Sequence, residues 1–348
     1  MSSIKDVARL AGVSFTTVSH VLNGTRKVSD AARQRVLRAV NECGYVPSAV
    51  ARSLRMAQTH NIGVLVPDIS NPFCAEITLG VEEQASQAGY AVLLGNTGPQ
   101  GVHQARQLEH LLGRRVDGVL LVAGVFGDDP QHALEQVIRQ RLLVSRTPLV
   151  MIDRDPSSVA SDVLQADQFA AARTAASYLL SLGHKRIAFL SGPPDLAISQ
   201  ERLRGWQQAL LGAGIQPKAA DVWEGDFSIE SGFQQGLQCL QNKPVTAILA
   251  ANDMMALGAL RAAASCGVAV PDALSVMGMD GITMGEYSSP SLTTVGASLR
   301  AVGRQATQML LDRMAQPDLP KRTQPRFCEL VVRESTGPVS SLSVDARG

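Results

Sequence analysis

Residues 4–24 read Ile4-Lys-Asp-Val-Ala-Arg-Leu-Ala-Gly-Val-Ser-Phe-Thr-Thr-Val-Ser-His-Val-Leu-Asn-Gly24 and hold the clearest structural pattern in the chain. Apolar residues in the first half recur at the spacing of one helix face. They are Ile4, Val7, Ala8 and Ala11. Gly12-Val-Ser14 then predicts a tight turn, and the hydroxyl of Ser14 is placed to cap a second helix. The stretch therefore predicts two short helices joined by a turn.

The second predicted helix has two chemically different faces. Its apolar face consists of Val18, Val21 and Leu22. The opposite face carries Phe15, Thr16, Ser19 and His20, which helical geometry brings side by side. A short second helix with small polar groups and a histidine on its free face is typical of a helix-turn-helix head that reads base edges in the major groove of DNA. An ordinary helical hairpin is the alternative interpretation.

The charge distribution favours the DNA-binding interpretation. The whole chain has a net charge of +1, but residues 1–60 hold nine Lys or Arg against three acids, a net charge of +6. The remainder holds 23 basic and 28 acidic residues, a net charge of −5. A basic head on an acidic body is typical of a protein whose polyanionic partner binds at one end. A merely solvated basic surface does not explain why the imbalance stops near residue 60.

Residues 29–60 predict a third helix and a connector. Ser29 is placed to cap the helix, Gly44 to end it, and Pro47 forbids its continuation. The helical stretch at 49–55 falls below the roughly 12 residues that an isolated helix needs in water. We therefore predict a head over residues 1–46, followed by a hinge helix and linker over residues 47–60. The hinge is expected to fold only when two copies of the chain pack over DNA.

From residue 62 the pattern changes to short apolar runs that alternate with helical stretches. The predicted strands are 62–67, 90–96, 118–124, 148–153, 186–192, 222–226, 247–252 and 275–280, with 293–295 and 329–332 returning late. Apolar strands with crossover helices indicate doubly wound parallel sheets in an α/β body. We predict a body over residues 61–336 with two lobes and a disordered tail over residues 337–348. The first lobe is expected at about 61–161 plus 291–320, and the second at about 162–290 plus 321–336.

Polar residues follow several predicted strands. They are Asp68 to Asn71, the pair Asp153-Arg154, the pair Asn252-Asp253, and Asp280. Because ligands bind beyond the carboxyl ends of parallel strands, these residues predict a cleft for a small molecule with several hydroxyl groups. Helix capping is the alternative. The two interpretations are balanced for Asp253, whereas ligand contact is favoured for Asp153, Arg154 and Asp280.

Several other classes of protein are excluded by what the sequence lacks. No run of about 18 apolar residues predicts a membrane span, and the polar N-terminus has no secretory signal pattern. Five scattered cysteines show no metal-ligand spacing and are interpreted as reduced thiols. No Gly-x-Ser-x-Gly elbow and no telling pair of carboxylates indicates an enzyme. We therefore expect a cytoplasmic protein that is not an enzyme and has no cofactor, no metal site and no membrane contact.

The chain resembles the LacI/GalR family of bacterial transcription regulators over about residues 3–335, and within it the purine and ribose repressor branch. The motifs that carry the resemblance are Ile4-Lys-Asp-Val-Ala, Ala11-Gly-Val-Ser, Thr17-Val-Ser, Gly44-Tyr-Val-Pro-Ser, Ala51-Arg-Ser-Leu and Asn252-Asp-Met-Met-Ala-Leu-Gly. The resemblance implies a helix-turn-helix head, a hinge helix and a body of the periplasmic-binding-protein type. It also implies a homodimer that binds palindromic operator DNA.

The resemblance assigns two sets of residues. The expected DNA contacts are Phe15, Thr16, Thr17, His20 and Arg26 in the head, and Arg52, Leu54 and Arg55 in the hinge. Leu54 corresponds to a leucine that wedges into the minor groove and kinks the duplex. The expected effector contacts are Asn71, Phe73, Asp153, Arg154, Arg202, Phe227, Asn252 and Asp280.

Two positions depart from the family pattern and bear on the effector. Cys74 stands where ribose and purine relatives have a second aromatic residue, and Ala297 stands where many relatives have Gln. We expect a repressor whose effector is a small sugar, either a ribose-like pentose or another monosaccharide, with a larger sugar also open. The alternatives are a regulator with a purine or nucleoside corepressor, and a sugar-binding transport protein. The sequence does not set whether the effector releases or tightens DNA binding.

Overall fold

The computed structural model describes residues 3–23, 26–45, 58–98, 103–122, 140, 142–153 and 161–339. The chain divides into two compact units, Met1–His60 and Asn61–Gly348. They are a small helical head and a larger α/β body.

The described residues of the head form three helices, α1 (Ile4–Ala11), α2 (Phe15–Asn23) and α3 (Asp30–Cys43). Gly12 ends α1 with a φ of +61°, a left-handed conformation that glycine adopts at little cost. The Ser14 hydroxyl accepts a hydrogen bond from the backbone N–H of Thr17 at 3.0 Å, as the predicted cap requires. Ser29 occupies the N-cap position of α3, but its side chain makes no capping hydrogen bond.

The core of the head is a cluster of buried apolar side chains from all three helices. It comprises Val7, Ala8, Ala11, Val18, Val36 and Ala39. Val21 and Leu22, predicted to be buried, are half-buried and pack against this cluster. The spacing of apolar residues therefore predicted both the helices and the side that they bury.

The body contains two six-stranded sheets covered by helices. Its strands are β1 (Asn61–Val66), β2 (Ala91–Asn96), β3 (Gly118–Val122), β4 (Leu149–Ile152), β5 (Asp162–Ala166), β6 (Ile187–Ser191), β7 (Val222–Glu224), β8 (Ala247–Ala250), β9 (Ser275–Asp280), β10 (Thr293–Gly296), β11 (Thr323–Arg326) and β12 (Glu329–Val331). Its helices are α4 (Pro72–Gln87), α5 (Gln104–Gly113), α6 (Leu143–Ser145), α7 (Gln168–Ser181), α8 (Ala197–Gly212), α9 (Ile229–Asn242), α10 (Asp253–Ser265) and α11 (Leu299–Ala315).

The first sheet has the order β11-β5-β4-β3-β1-β2, and every pair in it is parallel. The second sheet has the order β12-β10-β9-β8-β6-β7, and only the edge strand β12 is antiparallel. Each sheet is the centre of one lobe. The prediction of two doubly wound parallel-sheet lobes is confirmed.

The predicted lobe boundaries were wrong at three strands. Strand β5 and strand β11 belong to the first sheet, although the sequence placed residues 162–166 and 321–336 in the second lobe. Strand β10 belongs to the second sheet, although residues 291–320 were assigned to the first lobe. The chain crosses between lobes after each of these strands. An apolar run predicts a buried strand, but it does not say which of two similar sheets the strand joins.

The tail was also placed wrongly at its beginning. Residues 337–339 are anchored on the second lobe, where the Val339 N–H donates to the Leu182 carbonyl at 3.0 Å. The Gly337 N–H donates to the Ser275 hydroxyl, also at 3.0 Å. Small polar residues suggested disorder, but here their backbone groups supply the hydrogen bonds. The rest of the predicted disordered tail, residues 340–348, lies outside the described residues.

Two glycines allow α4 and α11 of the first lobe to pack closely against each other. A Cβ on Gly80 would lie 2.0 Å from the Arg300 carbonyl oxygen, and a Cβ on Gly303 would lie 2.1 Å from the Ile77 carbonyl oxygen. Neither position therefore accepts a larger residue without moving a backbone. This packing fixes the position of α4, whose N-terminus points to the cleft between the lobes.

Candidate DNA-binding and effector sites

The face of α2 opposite its buried Val18 carries the predicted base-reading residues. Phe15 is 44% exposed, Thr16 is exposed and His20 is half-buried. The Thr17 hydroxyl lies 2.9 Å from the Ser14 hydroxyl, so it takes part in the helix cap in addition to its predicted DNA role. Arg26 is exposed just beyond the helix. The structure therefore places Phe15, Thr16 and Thr17 in the first turn of α2, His20 one turn further on, and Arg26 beyond the C-terminal end of the helix.

The three hinge residues with predicted DNA contacts are Arg52, Leu54 and Arg55. They lie outside the described residues, as does the predicted effector contact Arg154. Their roles stay predictions.

A cavity of about 400 Å³ lies between the two lobes, beyond the carboxyl ends of their strands. We call it the first cavity. It contains six of the eight predicted effector residues, namely Asn71, Phe73, Arg202, Phe227, Asn252 and Asp280. Its other walls come from Pro67, Asp68, Ser70, Cys74, Leu196, Ile198, Asp226, Ser228, Ile229 and Met254. Residues distant in sequence thus meet where strand-end reasoning predicts a ligand site.

Arg202 is the central polar group of this cavity. Its Nε donates to the Gln168 Oε1 at 2.8 Å, and its Nη2 donates to the Asp280 Oδ1 at 2.7 Å. Its Nη1 donates to the Ala251 carbonyl. The side chain is only 4% exposed. The guanidinium is therefore buried and oriented in advance, which lowers the entropy cost of binding a ligand.

Asp280 has an unusual backbone as well as a charged partner. Its φ of +120° lies in a region that non-glycine residues rarely adopt. The neighbouring strand permits this conformation because Gly296 lies against it, where a Cβ would be 2.3 Å from the Asp280 carbonyl carbon. Burial raises the pKa of the Asp280 carboxyl, and the Arg202 guanidinium acts in the opposite direction. Strain of this kind is typical of functional sites.

Asp253 has a structural role that matches neither interpretation of its sequence position, because Asn252 caps the helix and Asp253 lies outside the cavity wall. Its Oδ2 accepts hydrogen bonds from the backbone N–H groups of Gly281 at 2.7 Å and Ile282 at 2.9 Å. Its Oδ1 accepts one from the Thr294 hydroxyl at 2.6 Å. Burial, followed by the nearby charge of Asp280, raises its pKa to about 7. Asp253 holds the turn that follows Asp280, and it does not line the cavity.

Asn71 and Asn252 both cap helices at the cavity wall. The Asn71 Oδ1 accepts from the Phe73 N–H at 3.0 Å at the start of α4. The Asn252 Oδ1 accepts from the Met255 N–H at 2.9 Å, while its Nδ2 donates to the Phe227 carbonyl at 3.0 Å. The capping alternative thus holds for these two residues, which nevertheless line the cavity. Asn252 uses both ends of its amide, so it fixes the position of Phe227.

Phe227 provides an aromatic wall of the first cavity, as Phe73 does. Its φ is +69°, and its ring packs so closely on Gly192 that a Cβ there would lie 2.1 Å from a ring carbon. Cys74 is buried beside Phe73, and burial raises the pKa of its thiol to about 12. The thiol is therefore neutral and acts as a small apolar wall.

Asp153 is not brought to the first cavity. Its Oδ1 accepts from the Ala166 N–H at 2.8 Å, and its Oδ2 pairs with the Nη2 of Arg326. Both side chains are at most 3% exposed. The sequence identified Asp153 from its strand-end position, but nothing in the pattern indicated that Arg326, far along the chain, would bind its carboxylate.

Sequence reasoning also missed residues that line the first cavity. Leu196 and Ile198 are apolar and lie in and before the first turn of α8, so no chemical signal marks them. Asp226 follows β7 and was counted as the last residue of a strand. It was identifiable from its place at a strand end.

The lobes also touch through a direct contact beside the cleft. The carboxylate of Glu76, on α4 of the first lobe, accepts from the Thr283 backbone N–H at 2.8 Å and from its hydroxyl at 2.9 Å. Thr283 lies in the second lobe, three residues after Asp280. We call this pair the lobe latch.

Within the residues that the structure describes, no group of three His, Cys, Asp or Glu side chains is placed to bind a metal ion. None of the described helices is both long and apolar enough to cross a membrane.

Comparison with known proteins identifies the head and the later part of the body. Residues 3–48 match the model for bacterial regulatory proteins of the lacI family, and residues 176–336 match the model for a periplasmic binding protein-like domain. The transcriptional repressor PurR of Photobacterium profundum is 39% identical over 337 residues, which cover 96% of this chain and 98% of the relative.

Two solved structures are similar over nearly the whole chain. The Lac repressor dimer bound to operator and the anti-inducer ONPF has a TM-score of 0.83 and 31% identity, with 97% of this chain and 99% of that chain covered. The complex of the transcriptional regulator CelR with cellobiose has a TM-score of 0.70 and 34% identity, with 96% and 100% covered.

Proposed function

Because the chain belongs to the lacI family of bacterial regulatory proteins, we propose that its first cavity binds a neutral sugar that controls the affinity of the head for operator DNA. The chain is a DNA-binding transcriptional regulator with a small-molecule effector, and it is not an enzyme. It acts as a homodimer, like the Lac repressor dimer to which it is similar. We place its action in the cytoplasm, where bacterial DNA lies.

The observation that carries the proposal is the charge and hydrogen bonding of the first cavity. Among its described walls the charged residues are Asp68, Asp226, Asp280 and Arg202, and the one cation is already paired with Asp280. A phosphate or carboxylate would find no uncommitted cation there. Hydroxyl groups, by contrast, can donate to carboxylates and accept from amides. The rings of Phe73 and Phe227 offer apolar surface to the C–H groups of a sugar.

A purine is the second candidate. The similarity to PurR and the two aromatic rings favour it, since a planar base stacks well on an aromatic side chain. A purine would tighten DNA binding as a corepressor, whereas a sugar would release the DNA. The two candidates therefore predict opposite signs of coupling.

The ligand is tested by thermal unfolding of the full-length chain with ribose, glucose, galactose, cellobiose or hypoxanthine. A true effector raises the melting temperature in a concentration-dependent way. We expect one of the sugars to do so and hypoxanthine to have no effect. If hypoxanthine alone stabilises the protein, the effector is a purine and the sugar proposal is wrong.

The coupling is tested by titrating operator DNA with and without that ligand. We expect the sugar to weaken DNA binding by about 5–150-fold, the usual range of allosteric coupling. The predicted route is through the hinge, where two copies fold over the minor groove and Leu54 wedges between base pairs. An unchanged DNA affinity at saturating sugar would reject the coupling.

A further inference from the structure

We propose that the effector cleft continues into a second compartment that takes a second sugar unit, so that the effector is a disaccharide or another glycoside. This inference rests on the proposed sugar ligand and specifies its size. The compartment is a cavity of about 650 Å³, which we call the second cavity.

The second cavity also lies between the lobes. The first lobe contributes Asp153, Gln165, Ala166 and the strand residues Thr323, Gln324 and Pro325. The other wall consists of Asp167, Gln168, Ala197, Ile198 and Glu201. A ligand held there touches both lobes, as a ligand in the first cavity does.

The two cavities share a wall. Ile198 lines both of them. Beside it, Gln168 faces the second cavity and Arg202 faces the first, and the two side chains are joined by the 2.8 Å hydrogen bond from the Arg202 Nε. A ligand that extends past Ile198 would therefore contact both members of this pair.

An unsatisfied amide points to a ligand in the second cavity. The Nε2 of Gln168 is buried and has no hydrogen-bond partner among the described residues. A buried donor without an acceptor is costly and is rare in native proteins. An oxygen atom of a bound ligand would supply the missing acceptor.

The remaining walls specify a neutral, hydroxyl-bearing group. The described residues of this cavity include no Lys, Arg or His, and the charge of the neighbouring Arg326 is already balanced by Asp153, so the cavity offers no net positive charge to an anionic ligand. Its carboxylates are already engaged, because Asp153 pairs with Arg326, Asp167 caps α7 and Glu201 pairs with Arg204. They therefore do not require a cation, but they can still accept hydrogen bonds from hydroxyl groups. Gln165 and Gln324 provide further amide donors and acceptors.

Isothermal titration of the full-length chain with matched sugars tests the inference. The pairs are glucose with cellobiose and galactose with lactose, and ribose is the pentose. We expect one disaccharide to bind on the order of tenfold tighter than its monosaccharide, the gain of about one or two hydrogen bonds.

The variant Gln165→Leu removes a polar wall of the second cavity at similar size. We expect it to abolish most of the disaccharide's advantage and to leave the affinity for the monosaccharide within about twofold. Gln238→Leu, exposed on α9 and outside both cavities, is the matched control and should change neither affinity. If Gln165→Leu does not fold, Gln324→Leu on the edge strand β11 makes the same test.

The outcomes separate the two proposals. Equal affinities for a monosaccharide and its disaccharide, or an unaltered disaccharide advantage in the variant, would overturn the second compartment and leave the sugar proposal standing. Binding of no sugar at all would overturn both.

Discussion

Arg202 shows how a single side chain in the cleft is positioned before a ligand binds. Its three hydrogen-bond acceptors come from α7, from the end of β8 and from Asp280. A planar guanidinium satisfies acceptors in several directions at once, which a lysine ammonium on a flexible stem does not. The identity of this residue therefore matters beyond its charge.

We predict that Arg202→Lys weakens effector binding by about 1.5–3 kcal/mol, the value of hydrogen bonds to a charged group. The substitution keeps the charge that balances Asp280 but loses the planar fork. Isothermal titration with the identified sugar measures the effect. Arg261→Lys, exposed on α10, is the control and should bind the sugar like the natural protein. Wild-type affinity in Arg202→Lys would remove Arg202 from the binding site.

Asp253 makes stability depend on pH in an unusual direction. Its pKa is about 7 in the folded protein, against an ordinary value of 3.8. The folded state therefore binds the proton more tightly than the unfolded state. This contribution is fully present below about pH 4 and is lost as the pH rises towards 7.

We predict that Asp253→Asn, which does not titrate, removes this dependence. The free energy of unfolding of the natural protein, minus that of the variant, should fall steadily from about pH 4 to pH 7. Urea unfolding across this range measures both proteins under the same conditions, so the other titrating groups cancel. Parallel curves would mean that the pKa of Asp253 is the same in the folded and unfolded chains.

At the scale of helices and strands, the head shows which local signals are reliable. Ser14 and Ser29 both precede a helix, but only the Ser14 side chain forms a capping hydrogen bond. The two serines therefore provide a matched pair for the value of a cap.

We predict that Ser14→Ala destabilises the head by about 1 kcal/mol, whereas Ser29→Ala has a smaller effect. The Ser14 variant should also bind DNA more weakly, because α2 begins at that cap and carries the predicted base-reading residues. Amide hydrogen exchange in α2 and DNA titration measure the two consequences. Equal losses in both variants would show that the hydrogen bond seen at Ser14 adds nothing.

Substitution of His20 and of Arg26 should weaken DNA binding in different ways, the first for particular sequences only and the second for all sequences. We predict that His20→Ala relaxes base choice at one position in each half-site, at a cost of about 1–3 kcal/mol there. Arg26→Ala should weaken binding to all sequences alike and reduce the salt dependence by about one charge. Titrations with substituted operators at several salt concentrations separate the two. A uniform loss for His20→Ala would assign it to the phosphate backbone.

Local pattern predicted the elements of the body but not their partners. The eight main strands lie where apolar runs end in polar residues, and six of them are buried along nearly their whole length, whereas the edge strands β2 and β7 are partly exposed. Strand β5 and strand β11 were not predicted, since Asp162 and Gln165 interrupt one and Pro325 the other. The contact between Asp153 and Arg326 could not be predicted from the sequence either, because it depends on pairing between β11 and β5. Tertiary pairing, unlike periodicity, leaves no local trace in one sequence.

On the scale of the whole molecule, the lobe latch connects the cleft that contains the first cavity with the relative position of the lobes. Glu76 and Thr283 belong to different lobes, and Asp280 lies three residues before Thr283. A ligand that engages Asp280 therefore acts on the segment that carries the latch.

We predict that Glu76→Ala lets the lobes separate more widely and lowers effector affinity by about fivefold, the lower end of typical coupling. Stability should change little because the contact is exposed. Small-angle scattering should show a larger radius of gyration, and titration should show the weaker binding. Glu82→Ala, exposed on the same helix, is the control. An unchanged radius and affinity would show that the latch does not hold the lobes.

The three crossings between the lobes have a consequence for how the protein is made. The first lobe begins at β1 but completes its sheet only with β11, about 260 residues later along the chain. Nearly the entire polypeptide must therefore be synthesised before the last strand of that sheet can pair with β5. During synthesis the unfinished sheet exposes an unpaired strand at β5, the kind of edge on which newly made chains aggregate.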